Sequence, residues 1–204
     1  MSDWRIAPLT ANRVTELAAC HIASWREVYG TLVPAHILDG FDLDRSAITW
    51  ERRRAEGTHR LPVALVDDRL IGFASATDSP ISGQRGDTDA HLSALTDIAT
   101  SGQRADAGAG QLFTDSSCRQ ARAGRPAAET ELEALYVRSA WHGTGVADAL
   151  IEAAAPGSPC TLWVFADYPR AHAFYRRHGF TDTGIHRADP FTLLPEQLWR
   201  RDPG

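Results

Sequence analysis

The chain has 204 residues, of which 43% are hydrophobic and 23% charged, which suits one domain with a buried core. Its apolar runs are too short to cross a membrane, and its formal net charge of −5 disfavours nucleic-acid binding through general electrostatics, so we expect neither a membrane nor a nucleic acid as a partner. The first ten residues lack the basic and apolar regions of a secretory signal, and the three cysteines are far apart. We therefore expect a cytoplasmic protein without a disulfide framework.

The N-terminal part of the chain predicts a strand, two helices and a hairpin. Residues 4–9 have the pattern of a short strand. Apolar residues at helical spacing predict a helix over 14–29, with Thr10 or Asn12 as its N-cap and Gly30 at its end. The pattern then predicts a second helix at 43–56 and two hairpin strands at 61–66 and 70–76.

Residues 79–128 differ in composition from the rest of the chain. They contain six glycines and a single aromatic residue, Phe113, and they are rich in small and polar residues. Such a stretch buries too little apolar surface to offset the entropy that ordering costs. We interpret it as a mobile insert within a single domain that spans residues 1–204.

The C-terminal part alternates strands and helices. In a predicted strand at 131–137, strict alternation places Glu131, Glu133, Leu135 and Val137 on one side. Pro169 suits the first turn of a helix and Gly179 suits its C-terminal cap. The further elements are predicted as helices at 145–154 and 169–178 and as strands at 161–166, 181–187 and 191–200.

The turn HGTGVA at 142–147 joins a predicted strand to a predicted helix. Gly143 and Gly145 allow the backbone to approach a ligand closely, and the first N–H groups of a helix lack acceptors within it. Together with the positive end of the helix dipole, these groups form an anion site that suits phosphate. The turn lacks the Lys-Ser/Thr end of a P-loop and the third glycine of a dinucleotide-binding fingerprint. By itself, the pattern is equally typical of a structural turn.

Three segments together resemble the GNAT superfamily of acetyl-CoA-dependent N-acetyltransferases: ELEALYV at 131–137, HGTGVADALI at 142–151 and AHAFYRRHGF at 171–180. The resemblance implies a single α/β (α+β) domain. Its mixed, mostly antiparallel sheet would have six or seven strands, splayed at a cofactor cleft and flanked by about four helices. The resemblance also implies an enzyme that uses acetyl-CoA as co-substrate and acetylates a primary amine by direct attack on the thioester. The insert has no counterpart in the family.

The resemblance also implies which residues bind acetyl-CoA. The family's pyrophosphate loop, Gln/Arg-x-x-Gly-x-Gly/Ala, matches His142, Gly145 and Ala147, with His in the first position. The family's later helix begins with Asn, where this chain has Tyr168. The pantetheine would pair with the backbone of the strand at 131–137. The implied acetyl-CoA-binding residues are Leu135, Tyr136, Val137, His142, Gly143, Thr144, Gly145, Val146, Ala147, Tyr168 and Ala171.

Catalytic roles follow from the same resemblance. Tyr175 aligns with the family's general acid, which protonates the departing CoA thiolate. Glu131 stands where several family members carry the general base, and Glu133 is the second candidate. A base is needed because an ammonium group cannot attack the thioester. A backbone N–H near Val137 would meet the charge that develops on the carbonyl oxygen.

The resemblance implies a small-molecule or peptide amine as acceptor, and the acidic charge balance favours a cationic small molecule. Trp25 and Tyr29 lie four residues apart on one predicted helix face, where they line either the acceptor pocket or the core. The eight histidines have no metal-ligand spacing, so we expect no metal. A homodimer is compatible with the family. Two alternatives stay open: a different acyl-CoA as donor, or a non-catalytic acyl-CoA-binding sensor or docking module. The insert's role also stays open between a lid, an interaction segment and neutral drift.

Overall fold

The computed structural model describes residues 3–78, 130–157 and 159–202, so the predicted insert at 79–128 lies outside the described residues. Within those ranges the chain forms eight strands and five α-helices. The strands are β1 (Trp4–Pro8), β2 (His59–Arg60), β3 (Pro62–Val66), β4 (Arg69–Asp78), β5 (Thr130–Val137), β6 (Cys160–Phe165), β7 (Thr181–Ala188) and β8 (Pro195–Arg201). The helices are α1 (Val14–Tyr29), α2 (Ala35–Asp39), α3 (Leu43–Glu56), α4 (Val146–Ala154) and α5 (Pro169–Arg177).

The sheet is mixed and mostly antiparallel, which confirms the predicted fold class. Its strand order is β1-β3-β4-β5-β6-β8-β7, with β2 paired to β4. Among these described strands, β5 and β6 are parallel and the other pairs are antiparallel. The two elements that sequence patterning missed, α2 and β2, are five and two residues long, too short to show a period.

The start of α1 differs from the sequence prediction. Neither Thr10 nor Asn12 caps this helix, because a 3-10 turn at Ala11–Arg13 precedes it and the Thr10 hydroxyl donates to the Asn12 side chain. The later α3 has a side-chain cap, since the Asp42 carboxylate accepts from the Arg45 N–H at 2.8 Å. None of the helices in the described part of the chain is both long and apolar enough to cross a bilayer.

Helices cover both faces of the sheet. One face, called the α4 face, packs under α4 and α5 around Leu132, Leu162 and Trp199. The opposite face, called the α1 face, packs under α1 and α3 around Phe73 and Ala134. Side chains that alternate along one strand therefore enter two separate apolar layers, and both layers remove large apolar side chains from water.

The sheet opens between its two parallel strands. β5 and β6 are paired only at Thr130–Cys160 and at Glu131–Thr161. Beyond this last pair β5 continues to Val137 and β6 continues to Phe165 without further pairing between them. The result is a V-shaped opening, named here the strand opening, whose apex lies at Glu131 and Thr161.

Candidate active site

A bulge interrupts β5 just after its last pair with β6. Across the β4–β5 ladder, Ala76 pairs with Leu132 but Ser75 pairs with Ala134, so Glu133 is the extra residue on β5. A bulge shifts the alternation of side chains by one residue and changes the direction of the side chains beside it. It therefore decides which face of the sheet each residue of β5 reaches.

The bulge corrects the prediction that Glu131, Glu133, Leu135 and Val137 share one side of the strand. Leu135 and Val137 pack on the α4 face. Glu133 instead accepts a hydrogen bond from Ser75 on the α1 face, at 2.9 Å. Glu131 also faces the α1 side, because its neighbour in the strand is buried on the α4 face. The two glutamates thus lie together, on the face opposite to the two apolar residues.

Glu133 is held by polar and cationic groups. Besides Ser75, the Arg53 guanidinium and the His59 ring each lie 3.4 Å from its carboxylate, and Thr77 donates to it at 3.4 Å. Burial raises the pKa of Glu133, but the hydrogen bond with His59 and the charge of Arg53 outweigh burial and lower the pKa to about 2. A carboxylate with so low a pKa is a weak proton acceptor near neutral pH.

Glu131 occupies the apex of the strand opening. It pairs with Thr77 on β4 and with Thr161 on β6, and its side chain is half-buried on the α1 face. Thr130 precedes Glu131, and its hydroxyl donates to the Asp78 carboxylate on β4 at 2.9 Å. Glu131 is therefore fixed by strands on both sides at the point where the sheet begins to split.

The unpaired edge of β5 presents backbone groups to the strand opening. The Arg138 N–H donates to the Ile71 carbonyl on β4 at 2.8 Å. Because peptide groups alternate along an antiparallel ladder, those of Leu135 and Val137 point the other way, toward β6. The Val137 carbonyl accepts from Nε2 of His142 at 2.8 Å, which fixes the proton on that nitrogen. The N–H groups of Leu135 and Val137 and the Leu135 carbonyl remain directed into the opening.

The glycine turn after β5 leaves backbone exposed at the start of α4. Gly143 and Gly145 have φ angles of +78° and +87°, in the left-handed region that favours glycine. A Cβ at Gly143 would meet nothing within 4 Å, so the backbone there is open to a ligand. α4 begins after Gly145 without a side-chain cap, and the Thr144 hydroxyl donates to Trp141 in the same turn. The Val146 side chain is buried and that of Ala147 is half-buried. The backbone N–H groups of this first helical turn have no acceptors within the helix, and such groups suit an anion.

Glu27 on α1 holds the end of the strand that leads into this turn. The sequence pattern did not indicate this residue. Its carboxylate accepts from the Arg138 guanidinium at 2.6 and 2.9 Å and from the Ser139 N–H at 2.8 Å. The hydrogen bond from Arg138 is the main cause that lowers the pKa of Glu27 to about 2, and the hydrogen bond from Ser139 lowers it further. No local pattern signals the contact, because Glu27 and Arg138 are 111 positions apart in the chain.

Three of the chain's four tyrosines lie close together beside the strand opening, and the fourth, Tyr175, interacts electrostatically with two of them. The Tyr29 ring lies 6.5 Å from that of Tyr136 and 5.5 Å from that of Tyr168. Burial raises the pKa values of Tyr29, Tyr136 and Tyr175, and electrostatic interactions among these phenols raise those of Tyr29 and Tyr136 further. Tyr175 comes from α5 on the α4 face, where Ala171 also packs. Its phenol stays protonated at neutral pH and is able to donate a proton.

Trp25 and Tyr29 stand in an aromatic cluster on the α1 face. Their rings lie 4.9 Å apart, and Tyr29 contacts Phe165 of β6 at 5.1 Å. Trp25 also contacts Phe41 at 5.3 Å and Phe191 of the β7–β8 turn at 6.2 Å. The structure thus brings both predicted acceptor-side residues beside the strand opening, with Trp25 buried.

A second missed carboxylate, Glu196 on β8, lies next to this cluster. It pairs with Phe165 across the β6–β8 ladder and is buried. Arg187 donates to it at 2.8 Å and stacks over the Trp163 ring at 4.0 Å. Burial raises the pKa of Glu196, and the charges of Asp189 and Glu131 raise it further, against the lowering effect of Arg187. Its position depends on strand register, which the sequence does not reveal.

Cys20 and Cys160, the cysteines among the described residues, are buried and are not in disulfides. Burial raises the pKa of Cys20 to about 11, which keeps it as an unreactive thiol. Within residues 3–78, 130–157 and 159–202, no group of three or more His, Cys, Asp or Glu side chains could hold a metal ion. The chemistry that these residues offer is that of carboxylates, phenols and backbone amides.

The family model described as "Acetyltransferase (GNAT) domain" matches residues 57–182, more than half of the chain. The chain therefore belongs to the GNAT acetyltransferase family, which confirms the resemblance seen in the sequence. A search of curated proteins finds none that matches the chain.

Solved structures share the fold over nearly the whole chain. The PaiA N-acetyltransferase from Thermoplasma acidophilum, solved in complex with coenzyme A, has a TM-score of 0.58 at 12% identity and covers 98% of this chain and 99% of its own. A protein described as "histone acetyltransferase HPA2 and related acetyltransferase" from Corynebacterium glutamicum has a TM-score of 0.61 at 17% identity, with 100% and 98% covered. The ribosomal-protein-alanine N-acetyltransferase from Brucella melitensis has a TM-score of 0.56 at 16% identity, with 97% and 99% covered. At these identities the similarity shows the fold.

Proposed function

We propose that this protein transfers an acetyl group from acetyl-CoA to a primary amine. The observation that carries the proposal is the apex of the strand opening. Glu131 lies there on the α1 face, and Tyr175 lies on the α4 face near Cys160, the residue that precedes Thr161 on β6. A proton acceptor and a proton donor thus flank one point from opposite faces of the sheet. Membership of the GNAT family supports acetyl transfer as the reaction.

Acetyl-CoA fits the backbone groups around that point. Its pyrophosphate would accept from the N–H groups of the turn at 143–147, where the helix dipole of α4 favours negative charge. Its pantetheine would extend along β5 and pair with Leu135 and Val137, whose peptide groups face the opening. The coenzyme A complex of the Thermoplasma protein, which shares the fold, supports this choice of donor.

Three proton movements accompany the transfer. The acceptor ammonium gives one proton to Glu131 and becomes a neutral amine, whose nitrogen forms a bond to the thioester carbon. The carbon–sulfur bond then breaks, and the thiolate takes the proton of the Tyr175 hydroxyl. The acylated nitrogen releases its extra proton, which restores the tyrosine through solvent. The products are the amide, CoA as a free thiol, and the proton held by Glu131, which is released to solvent.

Glu131 is a better candidate for the base than Glu133. The pKa of Glu133 is about 2, and its carboxylate already accepts from Ser75 and lies beside Arg53. Its proton affinity is therefore too low for efficient transfer from an ammonium group. We assign Glu133 to holding the bulge and Glu131 to the chemistry.

The acceptor that suits this face is a cationic amine. The negative charges of Asp189 and Glu131 both raise the pKa of Glu196, so two further carboxylates lie near it. Arg187 is the cation that pairs with Glu196 there. The aromatic rings of Trp25 and Tyr29 add surfaces that attract ammonium groups. Polyamines, amino sugars and amino acids are the first acceptors to try.

The test begins with thermal unfolding of the protein in acetyl-CoA, longer acyl-CoAs and CoA. A ligand at 100 times its dissociation constant stabilises the folded state by about 2.7 kcal/mol. Release of free thiol is then followed with a panel of amines. We expect acetyl-CoA to stabilise the protein and a cationic amine to release thiol. A stabilised protein that releases no thiol with any amine would favour the non-catalytic acyl-CoA-binding alternative.

Variants separate the two proton-transfer roles. Glu131→Gln should lower kcat/KM for the amine by about 10²- to 10⁴-fold, the usual range for a general base. Tyr175→Phe should lower kcat less, because a thiolate leaves readily without assistance, and should keep the affinity for acetyl-CoA. Glu152→Gln, on the exposed side of α4, is the matched control and should retain full activity. Equal kcat/KM for Glu131→Gln and the control would remove Glu131 from the mechanism.

A further inference from the structure

Thr161 has a buried hydroxyl that the fold itself does not use. The residue is only 3% exposed, and its Oγ1 has no hydrogen-bond partner among the residues that the structure describes. Buried hydroxyls are nearly always hydrogen-bonded, since an unmet one lowers the stability of the folded state. Valine has the same shape and carries no such cost, so packing alone does not require a hydroxyl here.

The hydroxyl lies directly beside the proposed base. Thr161 and Glu131 are partners in the parallel ladder, so their side chains project from the same face on strands about 4.8 Å apart. That face is the α1 face, because the next residues along both strands, Leu132 and Leu162, are buried on the α4 face. The two side chains form the last rung before the sheet opens.

The other hydroxyl beside Glu131 is already engaged. Thr77 flanks Glu131 on β4, but its Oγ1 donates to Glu133 at 3.4 Å. On the far side of Thr161, Arg200 pairs with it across the β6–β8 ladder and lies 3.1 Å from the Asp202 carboxylate. Thr77 and Thr161 flank Glu131 on its two neighbouring strands. Because the Thr77 hydroxyl donates to Glu133, the Thr161 hydroxyl is the one available to bind a molecule at the apex.

We propose that the Thr161 hydroxyl and the Glu131 carboxylate together hold the water molecule that carries the proton from the acceptor amine to Glu131. Thr161 is then a positioning residue, and its role rests on the proposed acetyl transfer. A buried water needs two to four polar partners, and Thr161, Glu131 and the acceptor nitrogen supply three. The ammonium gives a proton to the water as the water gives one of its own to Glu131, so the water is regenerated and the nitrogen is left neutral.

The experiment compares Thr161→Val with Thr161→Ser. Valine keeps the branched shape and removes the hydroxyl, whereas serine keeps the hydroxyl. We expect Thr161→Val to lower kcat/KM for the amine by about 10- to 100-fold, the range that a misplaced reacting group produces. Thr161→Ser should restore most of the loss. Thr181→Val is the matched control, because its hydroxyl is exposed on β7 and bonds to the Arg200 carbonyl at 3.4 Å.

Three further readouts separate a proton-transfer role from a structural one. The dissociation constant for acetyl-CoA should be the same in wild type and Thr161→Val. The free energy of unfolding should be equal or higher in Thr161→Val, because a buried hydroxyl without a partner is replaced by a methyl group. Rates in mixtures of H₂O and D₂O should depend on deuterium content non-linearly in wild type, since two protons move together, and more nearly linearly in Thr161→Val.

The outcomes distinguish this inference from the proposed function. If wild type releases thiol with an amine but Thr161→Val stays within twofold of it, the positioning role is overturned and acetyl transfer stands. The same holds if Thr161→Ser is as slow as Thr161→Val, or if the valine variant loses affinity for acetyl-CoA. If wild type releases no thiol with any amine, the proposed function fails, and the inference fails with it.

Discussion

Replacing Glu133 with Gln should lower the free energy of unfolding strongly and should change kcat/KM only slightly. The carboxylate lies at the β5 bulge, beside Arg53, a guanidinium that is only 4% exposed. Gln keeps an oxygen for the Ser75 hydroxyl but removes the negative charge. The buried Arg53 then loses one anionic partner, and removing one member of a buried ion pair lowers stability.

The magnitude follows from the pKa of Glu133, which falls from 4.5 to about 2 on folding. At about 1.4 kcal/mol for each pKa unit, the ionised carboxylate contributes about 3 kcal/mol. Because the folded-state pKa is the lower one, this contribution is complete above pH 4.5 and is lost as the pH falls through about 2. Glu133→Gln should therefore be about 3 kcal/mol less stable than wild type at pH 7, with the difference shrinking as the pH falls below 4.5.

Urea unfolding followed by the fluorescence of the six tryptophans measures this difference at a series of pH values. Activity is assayed at a temperature where both proteins stay folded, with Glu131→Gln in parallel. We expect Glu133→Gln to keep kcat/KM within a few-fold and Glu131→Gln to lose most of it. A Glu133→Gln variant that is as stable as wild type at pH 7, or that loses as much activity as Glu131→Gln, would contradict the structural role of Glu133.

Two further predictions concern Glu27 on α1 and the insert. Glu27→Gln should lower the free energy of unfolding by only about 1 kcal/mol, because its partner Arg138 is 41% exposed and water screens the pair. The variant should also raise KM for acetyl-CoA with little change in kcat. Initial rates at varied acetyl-CoA check this, and an unchanged KM would contradict it. Replacing residues 79–129 with an Asn-Gly turn should leave the domain folded with a free energy of unfolding within about 1 kcal/mol of wild type, because Asp78 and Thr130 pair directly at the base of the hairpin. Circular dichroism and urea unfolding test this, and a protein that no longer folds would speak against a single domain with an insert.

Much of the fold was predictable from local pattern. The apolar spacing of α1, the apolar runs of β3 and β4 and the glycine that ends α3 each act within a few residues of sequence. The turn at 143–147 was predictable for the same reason, since Gly143 and Gly145 are the residues that tolerate a positive φ. The family motif then joined these elements into one architecture.

The active-site face was decided by pairing between distant strands. The bulge at Glu133 exists only in the register of β5 against β4, and a shift of one residue moves side chains to the opposite face. Strict alternation therefore misplaced Leu135 and Val137 relative to the glutamates. The same registers set Thr161 beside Glu131 and Glu196 beside Phe165.

The charge state of the site was also outside the reach of the sequence. Nothing in the sequence distinguishes Glu27 and Glu133 from other glutamates. In the folded chain their pKa values fall to about 2, because Arg138 donates to Glu27 and because His59 and Arg53 lie beside Glu133. Electrostatic energies depend on distance and burial, which are properties of the packed structure. The sequence by itself determined the elements, the glycine turn and the family, because these depend on neighbours along the chain. Only the tertiary structure decided which carboxylate is held by cations and which stands at the apex of the opening.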